Sequence, residues 1–238
     1  MLHPRNANGT GSRWSALLAA ALAGYALGAA HTARLRHQLA AARHAAVHDP
    51  LTGLPNRHAA LVHLRWRLSA RRPTLVTLLD LDDFKSVNDR HGHLVGDDLL
   101  TIVAARLHVA VPPHGLAARL GGDEFLTLLP DGGGDPARAV APILELLSQP
   151  VRLPTTTLRP RASAGVTTSR PCRHSGAAGW RQLLTQADRA LYRTKHTGID
   201  VAVYDPQLDG YIPQTPPRPG IRRRDRHPGA TRPHPRPK

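Results

Sequence analysis

The chain has 238 residues, 41% of them hydrophobic, which suits one globular domain with a real core plus non-globular ends. A formal charge of +15 and a pI near 11.4 point toward nucleic acid or an anionic surface, yet much of that charge lies outside the middle of the chain. A single cysteine, Cys172, excludes an intramolecular disulfide and a Cys-based zinc cluster and fits a reducing cytosol, and the scarcity of aromatics leaves the core to Leu, Val and Ala.

Residues 1–13 are polar and expected to be disordered. Trp14 to Ala30 is an uncharged Leu/Ala run with Gly24 and Gly28. At about 17 residues it is at the short end of the spanning range and only weakly hydrophobic. A transmembrane anchor, a signal peptide and a helix packing on a partner compete, and the anchor is favoured. Arginines lie on both sides of the run (Arg5, Arg13, Arg34, Arg36, Arg43), so charge placement barely orients it. Residues 31–47, with Leu35, Leu39 and Ala42 at helical spacing, read as a linker helix, either a spacer or a dimerising stalk.

A globular domain is expected over 48–205. It opens with a turn at Asp49–Arg57, then a helix over 56–70 with Leu61, Leu64 and Leu68 on one face. Arg65, Arg67, Arg71 and Arg72 on or just past it read as a solvated face. A strand over 74–80 ends directly in Asp80-Leu81-Asp82-Asp83, and a short helix reaches Arg90. Val95–Val111 is helical through Leu99, Ile102, Val103 and Leu107 until Pro112-Pro113 stops it. Strands over 115–120 and 125–129 flank Gly121-Gly122-Asp123-Glu124, which reads as a tight hairpin whose carboxylates sit at an exposed tip. Asp135-Pro136 opens a helix to Ser148. Strands follow at 151–158 and 161–168, then a loop from Ser169 to Gly179, a helix over Trp180–Lys195 and a closing strand at Val201–Tyr204. The fold class is α+β, a ferredoxin-like βαββαβ order of the kind seen in polymerase palms. Residues 206–238 are crowded with Pro, Arg and His and are expected to form a disordered, solvating basic tail.

Gly-Gly-Asp-Glu by itself is an ordinary hairpin turn. The second acidic stretch changes its meaning. If the strands ending at Asp80 and starting after Gly122 are neighbours, Asp80 meets Asp123 or Glu124. A few carboxylate oxygens plus substrate phosphates are what Mg²⁺ prefers, the layout of a phosphoryl-transfer centre.

Asp80 through Asp89, Gly92-His93, Gly96-Asp97 and Gly121 through Phe125 resemble, in order and spacing, the GGDEF-domain diguanylate cyclases. Asp49-Pro50-Leu51-Thr52-Gly53-Leu54-Pro55-Asn56-Arg57 resembles the turn that opens those domains, and Ala187-Asp188 with Leu191-Tyr192 and Lys195 resembles their last helix. The resemblance implies condensation of two GTP into cyclic di-GMP and two pyrophosphates. It implies that Asp80, the Leu81 carbonyl and Asp123 hold Mg²⁺ (or Mn²⁺), with Glu124 beside them as a second metal ligand or a base. Asn88 and Asp97, with His93 less firmly, would read the guanine edge. Lys85 and Lys195 would meet phosphate, and Gly121 and Gly122 would let the nucleotide approach the backbone. Plainer readings exist for each: a helix-ending Asn, an N-cap Asp, a surface His and exposed amines.

One GTP per protomer implies a two-fold homodimer. A GTP-using enzyme belongs in the cytoplasm, which disfavours a signal peptide and suggests a domain held at the inner membrane by one N-terminal helix. Anchor and stalk leave little chain for a sensory module. Two departures stand out. The family's Arg-x-x-Asp product-binding pair corresponds to Pro112 and Gly115, so feedback inhibition should be absent. An expected arginine is replaced by Ile199, which predicts GTP binding weaker by about 1–3 kcal/mol. The alternative is therefore a weak or inactive domain that binds GTP as a regulatory module. Nucleic-acid binding through the basic tail is a third reading and not the expected primary role.

Overall fold

The computed structural model describes residues 9–169 and 179–210. The segments expected as a disordered start (1–8) and basic tail (211–238), and most of the 169–179 loop with Cys172, lie outside the described residues.

Helix α1 (Gly9–Val47) is continuous, so the expected hydrophobic helix and linker are one element, and residues 9–13 form its start rather than a disordered end. Among the described residues, no helix is long and apolar enough to cross a membrane. The favoured anchor over 14–30 thus gains no support, because alanines and two glycines dilute the hydropathy a span requires. Tyr25, Leu27, Leu35 and Leu39 on α1 are all more than half exposed.

Helix α2 (Arg57–Ser69) is capped by Asn56, whose side chain accepts from the Ala59 amide. Strand β1 (Thr74–Leu81) follows, then α3 (Phe84–His91) and α4 (His93–Ala110), separated by Gly92. The hairpin β2 (Leu116–Gly121) and β3 (Glu124–Pro130) leads to α5 (Pro136–Ser148), capped by Asp135. Next come β4 (Val151–Arg152), β5 (Thr157–Leu158), β6 (Ala162–Thr168), α6 (Gly179–Thr197), β7 (Val201–Val203) and α7 (Pro206–Asp209).

The main sheet has the order β2-β3-β1-β6-β7, antiparallel except for the parallel β6/β7 edge. Its first four strands follow the βαββαβ arrangement, and β7 is an addition. The stretch 151–158, expected as one strand, is instead a separate two-stranded ribbon. Pro154 lies in the tight turn closed by Leu153 and Thr156, which bond each other's backbone at 2.8 and 3.3 Å.

Both faces of the sheet are covered. Leu75, Leu79, Leu81, Phe125 and Leu129 pack with α4 and α5 residues such as Leu100, Val103 and Ile143. Val76, Leu126 and Leu128 pack with Leu64 of α2 and Leu183 of α6. Side chains alternate along a strand, so Asp80 and Glu124 fall on the second face, the one that α6 crosses.

Two charges expected at the surface are buried. Arg67, read as part of a solvated face, donates to Thr74 Oγ1 at 2.8 Å and to the His114 carbonyl at 2.6 Å, closing α2 over the turn before β2. Residues 206–209, assigned to the disordered tail, form α7. Asp209 there is buried and meets Arg193 Nε of α6 at 2.9 Å. A buried carboxylate needs such a partner.

Candidate active site

Strands β1 and β3 are neighbours, and Asp80 lies directly opposite Glu124 in their register. The Leu81 amide donates to the Asp123 carbonyl at 3.3 Å. The two acidic stretches, 43 residues apart by their numbers (80 and 123), therefore meet at one end of the sheet. The hairpin turn is Gly122-Asp123, because Gly121 pairs with Glu124 after an irregularity past Arg119. Gly121 and Gly122 have φ of 140° and 57°, backbone that favours glycine. Asp123 and Glu124 are half-buried rather than at an exposed tip, since β1 flanks them.

Lys195, near the end of α6, reaches this corner. Its Nζ donates to Asp80 Oδ1 at 2.7 Å and also to Asp82 Oδ1. Burial works against the ammonium, but the two carboxylates outweigh it and hold its pKa above the usual lysine value. Asp82 is further fixed by Ser163 Oγ at 2.8 Å, and its amide bonds the Arg161 carbonyl at 2.9 Å. Asp82 thus positions Lys195, a use that the sequence alone did not suggest.

Asn88 of α3 abuts the start of α4. A Cβ built on Gly96 would fall 1.9 Å from Asn88 Oδ1 and 3.2 Å from the Phe84 ring. This brings Asn88 beside the residue that precedes Asp97. Asp97 itself is exposed, as are His93 at the start of α4 and Lys85 on α3.

Arg119 went unremarked in the sequence and braces the hairpin. Its Nε and Nη2 donate to the Gly122 carbonyl at 3.0 and 2.8 Å, and its Nη1 meets Asp49 Oδ1 at 2.9 Å. Asp49 also accepts from the Thr52 amide and hydroxyl at 2.9 and 2.7 Å. Burial pushes the Asp49 pKa up, but the Thr52 and Arg119 bonds outweigh it and hold the carboxyl below its usual range. A cation two residues before a double glycine, in an otherwise apolar strand, was the available signal.

The acidic side chains that meet here offer oxygen donors, the kind a hard divalent cation takes. Opposed carboxylates on one sheet face repel unless positive charge lies close, and the Lys195 ammonium already stands as a cation against Asp80. Among the described residues, no three His, Cys, Asp or Glu side chains form a metal cage.

The family model for "Diguanylate cyclase, GGDEF domain" matches residues 46–200. An uncharacterized signaling protein of Caulobacter vibrioides is 40% identical over 166 residues, 67% of this chain and 20% of its own length. Diguanylate cyclase DgcP of Pseudomonas aeruginosa is 35% identical over 164 residues, 66% of this chain and 24% of its length. The chain thus spans about a fifth to a quarter of these curated relatives. Among solved structures, the coiled coil and GGDEF domain of DgcB from Caulobacter crescentus, in complex with c-di-GMP, aligns with a TM-score of 0.66 and 29% identity, covering 76% of this chain and 97% of that one. With the ordered motifs, the sheet order and the family match over most of its length in agreement, this chain belongs to the GGDEF diguanylate cyclase domain family.

Proposed function

We propose that the protein is a diguanylate cyclase joining two GTP molecules into cyclic di-GMP. The single observation that carries this reading is the opposition of Asp80 and Glu124 across β1 and β3, with Lys195 on Asp80. Asp80, the Leu81 carbonyl, Asp123 and Glu124 would hold Mg²⁺ or Mn²⁺. When bound, the divalent ion neutralises charge on the attacked phosphate and on the departing pyrophosphate.

The chain's own groups do the rest. Asn88 and Asp97, with His93 at the rim, present acceptors and a donor to the guanine edge. Lys85 and Lys195 offer ammonium groups to the phosphates. Gly121 and Gly122 present backbone without side chains to the nucleotide. Each 3′-hydroxyl oxygen attacks the α-phosphorus of the other GTP, forming a P–O bond as the bond to the bridging oxygen of pyrophosphate breaks. Glu124 takes the hydroxyl proton. Two such steps close the ring and release two pyrophosphates.

Ring closure requires two sites facing each other, hence a homodimer. Helix α1 supports it, because a long helix with exposed apolar side chains such as Leu35 and Leu39 is stabilised by a partner rather than by itself. The substrate places the domain on the cytoplasmic side. Loss of the Arg-x-x-Asp pair is supported sterically: a Cβ on Gly115 would lie 2.5 Å from Val111 Cγ1 and 3.0 Å from the Pro112 carbonyl.

Incubating concentrated protein with GTP and Mg²⁺, followed by chromatography, tests the reading. Cyclic di-GMP that disappears in Asp123→Ala is expected. A second reading, a GTP-binding regulatory module, is favoured by Ile199, an exposed apolar residue where a phosphate-binding guanidinium is expected. GTP binding without product, unaltered by Glu124→Gln, would establish that version instead.

A further inference from the structure

A GTP triphosphate carries about four negative charges at neutral pH, and its lysine here is already engaged: Lys195 is bound by two carboxylates. The protein brings a second cation close to Asp82. Arg161 ends the segment that enters β6, and its carbonyl accepts the Asp82 amide. Its guanidinium meets Asp200 Oδ1 at 2.7 Å, and Asp200 is the residue directly after Ile199. Both side chains are well exposed, 67% and 59%, so this ion pair is weakly held and easily exchanged. The Asp200 bond, and beyond it the charge of Asp82, keep the guanidinium protonated above its usual range. Arg159 and Arg161 also stand on one wall of a cavity of about 170 Å³ whose floor is apolar (Val87, Leu99, Leu158) and whose other wall is the 81–84 loop that follows β1, with Asp82 and Asp83. Guanidinium groups on the wall facing the 81–84 loop can reach the terminal phosphates of a nucleotide whose metal is held beyond that loop, by Asp80 and the hairpin carboxylates.

We propose that Arg161, with Arg159 beside it, contacts the terminal phosphates of GTP and supplies from β6 the guanidinium that position 199 lacks. Asp200 pairs with Arg161 in the absence of nucleotide and competes with the phosphates for the guanidinium, which it yields when the nucleotide enters. The inference rests on the diguanylate cyclase reading for its ligand, but it concerns binding rather than turnover.

The test is direct binding of GTP and of GMP to the full chain in the presence of Mg²⁺, for the wild type and for Arg161→Ala, Arg161→Lys and Asp200→Ala. Loss of a charge-assisted contact predicts roughly tenfold or more weaker GTP binding in Arg161→Ala, with GMP binding unchanged. Arg161→Lys should recover part of the loss. Asp200→Ala breaks the same surface pair yet leaves the guanidinium, so GTP binding should be equal or tighter. This variant separates a phosphate contact from a merely structural ion pair. Equal weakening of GTP and GMP, no change in Arg161→Ala, matching losses in Arg161→Ala and Asp200→Ala, or a wild type that does not bind GTP would each overturn the inference. A wild type that binds GTP through Arg161 but makes no cyclic product would sink the cyclase reading and leave this one standing.

Discussion

Asn88 Oδ1 occupies the space that a side chain on Gly96 would need, only 1.9 Å from the position of its Cβ. The absence of that one carbon is what seats the amide of α3 against the first turn of α4, beside Asp97. Glycine in a helix costs about 0.5–1 kcal/mol relative to alanine, so its presence here has to be offset by what it admits.

Gly96→Ala should therefore leave folding stability within about 1 kcal/mol of wild type, the gain in helix propensity offsetting the displaced Asn88 and a small shift of Phe84. GTP should bind about tenfold more weakly, the loss expected for one or two hydrogen bonds to the base. Thermal unfolding and a KM measurement check the two halves separately. A large fall in Tm with unchanged KM would place Asn88 in packing rather than in guanine recognition.

The Arg119 brace predicts coupled losses. Arg119→Ala should lower stability by about 1–3 kcal/mol and reduce product formation, because the Gly122 carbonyl and Asp49 lose their shared donor while the fold around them persists. Urea unfolding alongside the product assay reads both.

Asp49 supplies the pH dependence. Its folded-state pKa lies below its ordinary value of 3.8. Its contribution is therefore fully present above that value and disappears as pH falls through the lower, folded-state pKa. Asp49→Asn should be less stable than wild type at neutral pH, and the gap should narrow on acidification below about pH 3.8. Urea midpoints across an acid pH series measure it. A gap that stays constant would mean that the carboxylate charge plays no part.

Reinstalling the missing product-binding pair should fail. Pro112→Arg with Gly115→Asp places a side chain against Val111 Cγ1 and the carbonyls of Pro112 and Leu128. Such overpacking costs about 1–3 kcal/mol. The double variant should be less stable and should show no inhibition by added cyclic di-GMP in initial-rate assays.

Cutting the chain after residue 205 should cost about 1–3 kcal/mol, because Arg193 would lose its charge-assisted bonds to Asp209 while gaining water in place of α7. Denaturant unfolding of the shortened chain, compared with one ending at 210, gives the number.

Much of this was legible in the sequence for a physical reason. Strand and helix periods, proline stops and Asn or Asp caps are local, so β1, α4, the hairpin and α6 appear within a residue or three of their expected bounds. The opposition of Asp80 and Glu124 could be anticipated as well, since Asp80 ends one apolar run and Glu124 opens another. What could not be read were contacts between distant positions. Arg67 looks like its solvated neighbours until the His114 carbonyl is brought to it, and Arg119 has no meaning until the opening turn delivers Asp49. Asp209 sits in a sequence whose composition is that of a solvated tail, and the Arg193 guanidinium and the Asp205 amide give its carboxylate a reason to be inside.

That last pair has a mechanical side. Arg193 and Lys195 belong to the same helix, two residues apart, so whatever grips the protein behind α7 also has a handle on the ammonium beside Asp80. Loosening α7 is therefore expected to loosen the last turns of α6 and with them the seat of the ammonium beside Asp80.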